Sequence, residues 1–403
     1  MPKAMQGNAA ANFGLISAAA AGPPEAIAGA VLTVRLDAIQ ENWRRLAAKA
    51  APAECGAAIK GDAYGLGVGP VARALWAAGC RTFFVARPME GGELRALLPR
   101  EAIIYVLDGL FPGQAEYYAS EDLRPALIAH DEAREWAAFG RIYGRKLPCA
   151  LHVDTGINRL GFSSDALDGL LNDARTMEGL NITLLMSHLA CSDEPEHPLN
   201  LHQKQAFDAV RARLPGIRAS FANSSGIFLG PGYTHDLVRP GIALYGGNPL
   251  PGQPNPMLPV AVLEAAVLQT RDIPAGETVG YGATWRAERP SRIAVIGAGY
   301  KDGVPRALST STSNGLAYAL VAGRRCPVVG RVSMDMMALD VTDLPRESVV
   351  RGTKAELIGP NIAIDEAAQW AGTISYELLT RLGQRYARLY SGLESTISGH
   401  RSQ

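Results

Sequence analysis

Short apolar segments alternate with helix-like segments from Ala57 to about Gly247. Turn residues bound each apolar segment, and the segments between them are amphipathic. Parallel strands need crossover connections, which are usually helices, so this alternation predicts a parallel sheet covered by helices. Eight such units in about 190 residues match a closed (β/α)8 barrel in strand count and size, with an open doubly wound sheet as the alternative. The predicted strands are 57–60, 82–86, 102–106, 125–129, 149–153, 183–187, 219–222 and 237–239, and the predicted helices include 71–78, 131–139, 165–175 and 201–214.

The pattern changes after Tyr245. Segment 249–259 holds five prolines in eleven residues and is predicted to be a linker. Runs rich in Val, Ile and Gly follow it, which predicts a second, mainly β domain, and the strand-like run 31–36 is expected to join its sheet. The predicted organisation is a flexible extension over 1–27, a barrel over 28–248 and a mainly β domain over 249–403. The predicted strands of the second domain are 260–269, 292–297, 316–322, 326–332 and 337–342.

Composition narrows the class of partner. Lysine and arginine together number 39, as do aspartate and glutamate, so no net charge is available to attract nucleic acid or an anionic membrane. No apolar run approaches the roughly 18 residues that a membrane span needs, and residues 1–27 do not resemble a signal peptide. The five cysteines are scattered, which favours free thiols in a reducing cytoplasm over disulfides or a metal site. We therefore expect a cytoplasmic protein that acts on a small molecule and binds no metal.

Lys60 ends the first predicted strand and is followed by a turn that contains Asp62, Tyr64 and three glycines. A lysine at the C-terminal mouth of a barrel can form a Schiff base with an aldehyde cofactor. A lone lysine at a strand end is usually an ordinary surface residue. The well-defined turn around Lys60 favours the functional interpretation.

A phosphate site is predicted where the last two barrel strands end. Arg239 ends the eighth predicted strand, and Pro240 suits the first turn of a short helix. The backbone N–H groups of Gly241 and Ile242 then point at an anion, helped by the helix dipole. Barrels commonly bind phosphate after strands seven and eight, and the polar strand end at 223–224 supports that interpretation.

The stretch Ile59–Gly67 resembles the cofactor-lysine motif of the alanine racemases, with Gly61 and Leu66 where that family usually has alanine and histidine. Further similar segments follow in order between about residue 30 and residue 390. The resemblance implies a barrel followed by a mainly β domain, and a pyridoxal-phosphate enzyme that interconverts L- and D-alanine and supplies D-alanine for peptidoglycan. The similar segments are Leu151–Phe162, Ser187–His188, Asn223–Ser224, Val238–Gly246, Val279–Thr284, Gly299–Gly303, Gly330–Asp335 and Ile374–Glu377.

The resemblance also implies a role for each site residue. Two bases on opposite faces of the amino acid serve the two directions of racemisation. Lys60 is expected to act on the D-alanine side and Tyr281 on the L-alanine side. Because Tyr281 and Met334 would complete the site around Lys60 of a second subunit, a head-to-tail homodimer with shared sites is expected. The implied cofactor contacts are Lys60, Tyr64, Arg159, His188, Asn223, Ser224, Arg239, Gly241, Ile242 and Tyr376, and the implied substrate contacts are Arg159, Met334, Tyr300 and Asp335.

Two positions bear on the expected chemistry. Many members of the family have a carboxylated lysine at the position of His152, whose anion orients the arginine at position 159. Histidine cannot form that carbamate, so Arg159 needs another partner, such as a bound anion, a carboxylate or water. Arg239 opposite the cofactor's ring nitrogen would keep that nitrogen unprotonated, because arginine only donates. A weaker electron sink would then favour racemisation over transamination.

Three other functions fit parts of the same pattern. A racemase for serine, lysine or arginine would need only a different entrance around Tyr300 and Tyr376, and two tyrosines there favour a small substrate. A pyridoxal-phosphate decarboxylase of similar layout would pair the ring nitrogen with an acid rather than with Arg239. A non-catalytic pyridoxal-phosphate carrier would resemble the barrel alone and would leave the Tyr281 segment without a purpose.

Overall fold

The structure is a computed structural model that describes residues 22–310 and 316–392. Most of the predicted extension over 1–27 therefore lies outside the described residues. The barrel is built from short parallel strands that are buried on both faces, as apolar runs between helices require. After β1 (Ala30–Arg35), the barrel strands are β2 (Glu54–Cys55), β3 (Ala57–Ala58), β4 (Thr82–Val85), β5 (Ile103–Val106), β6 (Leu123–Leu127), β7 (Pro148–His152), β8 (Asn181–Met186), β9 (Ala219–Ser220) and β10 (Leu237–Val238).

The barrel closes through its first and last strands. Strands β3 to β9 form one parallel sheet in sequence order, and β10 pairs in parallel with β2, which continues into β3 after Gly56. The N–H of Ala58 donates to the carbonyl of Pro240 at 2.8 Å, and the N–H of Arg239 donates to the carbonyl of Ala222 at 2.9 Å. These bonds join β10 to both neighbours, which confirms the predicted closed barrel and excludes an open doubly wound sheet.

Helices cover the outside of the barrel, as the amphipathic segments predict. The segment 165–175 was predicted as one helix, which is wrong, because the chain breaks at Asp173. The Asp173 carboxylate accepts from the N–H and the hydroxyl of Thr176, at 3.1 and 2.7 Å, and so caps a new helix. The helices are α1 (Leu36–Ala50), α2 (Lys60–Gly65), α3 (Val68–Ala78), α4 (Pro88–Leu97), α5 (Ala115–Ser120), α6 (His130–Ile142), α7 (Ser164–Asn172), α8 (Ala174–Gly179), α9 (Pro198–Arg213), α10 (Pro231–Thr234), α11 (Ile364–Trp370) and α12 (Ser375–Thr380).

The second domain is a mainly antiparallel sheet that closes on itself through one long strand. Strand β11 (Ala261–Ile273) pairs with β1 and β18 along its first half and with β14 along its second half. Strand β1 also pairs in parallel with β19, so residues 31–35 of the predicted strand 31–36 lie in this sheet, while Leu36 begins helix α1. The remaining strands are β12 (Thr278–Val279), β13 (Trp285–Arg286), β14 (Ser291–Ile296), β15 (Tyr318–Val321), β16 (Arg324–Val329), β17 (Met337–Asp340), β18 (Lys354–Ile358) and β19 (Ala387–Ser391).

The proline-rich segment 249–259 connects the two sheets without forming a helix or a strand. Asn42, a fully buried residue of α1, holds this segment in place through hydrogen bonds. Its side-chain amide donates to the carbonyls of Leu244 and Leu258, at 3.3 and 3.0 Å, and its carbonyl accepts from the N–H of Leu258 at 2.8 Å. One buried side chain therefore satisfies backbone groups before the linker and near its end. Within the described ranges, none of the helices is long and apolar enough to cross a membrane.

Candidate active site

A cavity of about 870 Å³ opens at the C-terminal ends of the barrel strands. Side chains from the barrel and from α12 of the second domain line its wall. It brings together all ten residues that the sequence predicted to contact the cofactor, and it adds His152. The ten are Lys60, Tyr64, Arg159, His188, Asn223, Ser224, Arg239, Gly241, Ile242 and Tyr376.

Lys60 is followed by a left-handed helical turn. Gly61, Asp62, Ala63 and Tyr64 have φ values of 64°, 55°, 54° and 56°, and each non-glycine residue in such a conformation costs about 1–2 kcal/mol. The Asp62 carboxylate accepts from the N–H of Val68 at 2.6 Å and helps to hold the turn. The strained turn fixes the direction in which the chain leaves Lys60, as is common where a site requires one geometry.

The Lys60 side chain faces the open cavity, but the protein around it still reduces its hydration. This desolvation lowers the pKa of Lys60, and the positive charge of Arg159 lowers it further. The carboxylates of Asp108 and Glu90 act in the opposite direction. Because a lysine reacts as a nucleophile only when it is neutral, this environment favours covalent bonding to an aldehyde.

Two tyrosine rings lie close together in the cavity wall. The ring centroid of Tyr64 lies 6.1 Å from that of Tyr376 and 4.6 Å from that of buried Tyr245. Burial raises the pKa of Tyr376 to about 12 and that of Tyr64 even further. Both hydroxyls therefore remain protonated at neutral pH and can donate to an anion.

Ser224 organises the loop beside these tyrosines. Its buried hydroxyl accepts from the backbone N–H groups of Gly241 and Ala243, at 2.9 and 3.3 Å. The side chain of Asn223 accepts from the N–H of Gly226 and from the hydroxyl of Ser192, both at 2.9 Å. The N–H of Gly241, which was predicted to point at an anion, donates to Ser224 in this structure. The hydroxyls of Ser224, Tyr64 and Tyr376 line the same cavity and can donate to a phosphate there.

Arg239 is buried at the floor of the cavity. Its guanidinium donates to the Ser220 hydroxyl and to the Ser187 carbonyl, both at 2.6 Å, and lies 3.4 Å from Nδ1 of His188. Burial lowers the pKa of Arg239 to about 10, so it remains a cation at neutral pH. Desolvation and this cation together hold the pKa of His188 well below its ordinary value. His188 is therefore neutral, and its Nδ1 is the acceptor because arginine has only donors.

His152 is buried against the cavity, and neither of its ring nitrogens has a partner within the described residues. Burial, together with the charges of Arg239 and Arg159, lowers the pKa of His152 to about 4. It therefore stands beside Arg159 as a neutral imidazole. Both ring nitrogens are buried without a hydrogen-bond partner in the described part of the chain, although buried polar atoms normally have one.

The structure does not bring the remaining four predicted residues into the cavity of the same chain. Tyr281 is 74% exposed and Met334 is 51% exposed, and both lie on the second domain. Tyr300 is joined to the Met334 segment, since the N–H of Tyr300 donates to the carbonyl of Ser333 at 3.0 Å. Asp335 pairs with Arg385 at 2.7 Å. These residues form an exposed surface of the second domain, separate from the Lys60 cavity.

Several cavity residues were not predicted from the sequence, and Phe84, Asp108 and Glu90 are three of them. Phe84 lies in the middle of the predicted strand 82–86 and carried no predicted role in the site, yet the guanidinium of Arg239 lies 5.8 Å from its ring centroid. Asp108 follows strand β5, and a carboxylate at a strand end of a barrel was a usable signal. Glu90 caps α4 from its third position, but the expected Ser, Thr, Asp or Asn is absent at the N-cap, where Arg87 stands.

Together, the barrel, the lysine at the mouth of its first strand and the cluster of anion donors define a cofactor-binding barrel enzyme with an appended β domain. Residues 34–249 match the family model described as alanine racemase, N-terminal domain, and residues 260–390 match the model described as alanine racemase, C-terminal domain. The chain belongs to the alanine racemase family.

Individual relatives agree with this assignment over nearly their whole length. An alanine racemase of Methylobacterium sp. (strain 4-46) is 54% identical over 362 residues, which span 90% of this chain and 98% of that protein. The crystal structure of alanine racemase from Bartonella henselae with covalently bound pyridoxal phosphate is 41% identical, with a TM-score of 0.86 over 90% of this chain and all of the other. Biosynthetic alanine racemase from Pseudomonas aeruginosa is 37% identical, with a TM-score of 0.82 over 91% of this chain and all of the other.

Proposed function

We propose that this protein racemises alanine with pyridoxal phosphate, using Lys60 of one subunit and Tyr281 of a second subunit as its two bases. The observation that carries the proposal is the cavity in which Lys60, Arg239 and the anion donors around Ser224 converge. The names of the relatives support the choice of alanine. The D-alanine formed would serve peptidoglycan synthesis in the cytoplasm.

The cavity fits the cofactor in size and in chemistry. Lys60 supplies an amine with a lowered pKa for the aldehyde. Tyr64, Tyr376 and Ser224 supply hydroxyl donors for the phosphate, and Arg239 supplies a fixed cationic donor for the ring nitrogen. When it is bound, pyridoxal phosphate provides an electron sink that makes the α C–H bond of an amino acid acidic.

Racemisation needs a proton acceptor on each face of the α-carbon, and each acceptor must return a proton in the reverse direction. In this proposal, the Lys60 amine exchanges the proton on the D-alanine side and the Tyr281 hydroxyl exchanges it on the L-alanine side. The exposure of Tyr281 within one chain is what a residue donated to a neighbouring subunit would show. Arg331 lies beside the Tyr281 segment, since a methyl group on Gly282 would come within 3.0 Å of its guanidinium.

The shared site implies a homodimer in which the exposed surface carrying Tyr281, Tyr300, Met334 and Asp335 covers the partner's cavity. Contact with the partner would exclude bulk water from the Lys60 cavity and would strengthen its polar interactions. Met334 and Asp335 would then contact the substrate together with Arg159.

The direct test follows D-alanine formation from L-alanine by circular dichroism, with pyridoxal phosphate added. Lys60→Ala is expected to lower the rate by ~10²- to 10⁴-fold, as loss of a catalytic base does. Lys146→Ala is the matched control, because Lys146 is exposed just before strand β7, at the opposite end of the barrel. Equal racemisation by the Lys60→Ala variant and by the control would contradict the proposal.

The alternatives give different outcomes in the same assay. A broader racemase would also exchange serine, lysine or arginine when a panel of L-amino acids is tested. A decarboxylase would release carbon dioxide. A non-catalytic carrier would turn yellow with pyridoxal phosphate but would leave both forms of alanine unexchanged.

A further inference from the structure

Glu90 connects two strand-end loops at the mouth of the barrel. One carboxylate oxygen accepts from the N–H groups of Ala86 and Arg87, at 2.8 and 3.0 Å. The other accepts from the N–H of Gly61 at 2.7 Å. The first two bonds cap helix α4. The third reaches a loop 29 positions earlier in the chain, to the residue that directly follows Lys60.

The bond to Gly61 is more than a helix cap requires. A capping glutamate needs only the N–H groups at the start of its own helix. Here the second oxygen holds the first residue of the left-handed turn, where Gly61 has φ +64°. Hydrogen bonds to an ionised acceptor are among the stronger ones, so the carboxylate can offset part of the strain in this turn.

Glu90 also contributes charge near the lysine. Within the described residues, Lys60 forms no ion pair with a carboxylate. The charged groups that act on it are Arg159, which lowers its pKa, and Asp108 and Glu90, which raise it against the effect of burial. Arg87 forms an ion pair with Asp108 at 3.1 Å, and its positive charge weakens the effect of that carboxylate on the lysine.

We propose that Glu90 is a positioning residue for Lys60, which fixes the backbone that carries the lysine and places a negative charge beside its amino group. This role rests on the proposed function only where the rate of racemisation is the readout. Glu90 touches neither the cofactor nor the substrate in this role. It acts through the direction and the charge state of Lys60.

The test compares Glu90→Gln and Glu90→Asp with the control Glu93→Gln, which changes an exposed carboxylate on the same helix. The full-length chain is freed of cofactor with hydroxylamine. Competitive labelling with acetic anhydride, read by peptide mass spectrometry across a pH series, then gives the titration midpoint of Lys60. The rate of racemisation and Tm are measured on the cofactor-loaded variants.

Glu90→Gln is expected to move the Lys60 midpoint to lower pH, because it removes a negative charge, and to lower kcat by ~10- to 100-fold, because the turn loses its anchor. Glu90→Asp keeps the charge but is one methylene too short to hold all three N–H groups. It should therefore keep the midpoint while kcat falls. Glu93→Gln should leave both quantities unchanged.

Two outcomes would overturn the role of Glu90. One is a Glu90→Gln variant whose Lys60 midpoint and kcat match those of Glu93→Gln. The other is a loss of Tm alone, which would reduce Glu90 to a structural helix cap. If Glu90→Gln does not fold, an unchanged kcat in Glu90→Asp would also overturn the positioning role of Glu90. Failure of the proposed function would look different, because the unaltered protein would then not racemise alanine while the labelling of Lys60 still reported on Glu90.

Discussion

Gly241 leaves no room for a side chain beside Tyr64. A methyl group at this position would lie 2.2 Å from the Tyr64 hydroxyl oxygen and 3.0 Å from the ring carbon that bears it. The first distance is about 1.2 Å short of the 3.4 Å at which ordinary contact begins. Tyr64 cannot move away easily, because it is 7% exposed and packs against Tyr245 with 4.6 Å between ring centroids. Gly241→Ala must therefore displace the hydroxyl or open the loop at Ser224.

Overpacking of this kind costs about 1–3 kcal/mol. Since both possible displacements disturb the anion donors, we expect most of this cost to appear as a dissociation constant for pyridoxal phosphate that is ~10- to 100-fold higher. The assay is titration of the cofactor-free protein with pyridoxal phosphate, followed by the visible band of the bound cofactor, with Tm recorded for each sample.

Gly69→Ala is the matched control. A methyl group there would make only ordinary contacts, with the flexible end of Arg73 at 3.6 Å and with the Leu97 side chain at 3.9 Å, and a helix prefers alanine to glycine. We expect unchanged cofactor affinity in that variant. Wild-type affinity and Tm in Gly241→Ala would refute the idea that this loop and Tyr64 form one rigid phosphate cradle.

Three further changes test the electrostatics and packing around the cavity. The pKa of His152 is about 4 in the folded protein against 6.5 as its ordinary value. The unfolded chain therefore binds one more proton than the folded protein as pH falls from 6.5 to 4. The free energy of unfolding of the wild type, measured in urea, should fall across this window by up to about 3 kcal/mol more than that of His152→Gln. Parallel curves for the two proteins would contradict this. Arg239→Met removes a cation that lowers the pKa of His188, so the NMR titration of His188 should shift to higher pH, and an unmoved titration would argue against their coupling. Asn42→Ala strands buried backbone groups of the linker and should cost about 2–4 kcal/mol in urea unfolding, whereas a change below ~0.5 kcal/mol would mean that the linker does not need this anchor.

Periodicity predicted much of the barrel because its physical cause is local. A parallel strand is buried on both faces, so it is a continuous apolar run, as in strand β4. Periodicity also located most of the long antiparallel strand β11, which was predicted as 260–269 and continues to Ile273. It overlooked β19, which pairs with β1 across more than 350 positions and depends on a partner that periodicity cannot indicate. The break at Asp173 was missed because the apolar pattern runs through it, while the side-chain cap that causes it is a local detail.

The site was predictable where a motif carries its own chemistry. Lys60, Arg239 and the Ser224 loop followed from strand ends, glycines and the family resemblance. The left-handed turn after Lys60 did not follow, because Asp, Ala and Tyr rarely adopt positive φ and only their tertiary contacts impose it. The contact between Glu90 and Gly61 was equally hidden, since it joins two loops that only the closed barrel brings together.

The two bases of one active site are proposed to belong to two chains, and mixing two inactive variants shows whether they do. Lys60→Ala and Tyr281→Ala chains are prepared separately, each with negligible racemisation, and are then unfolded and refolded together in equal amounts. Random pairing makes half of the dimers hybrid, and one of the two sites in each hybrid is intact. If the two chains share each site, about a quarter of the wild-type activity per site should be recovered. No recovery above the two parents, with hybrid dimers shown to be present by native mass spectrometry, would contradict it.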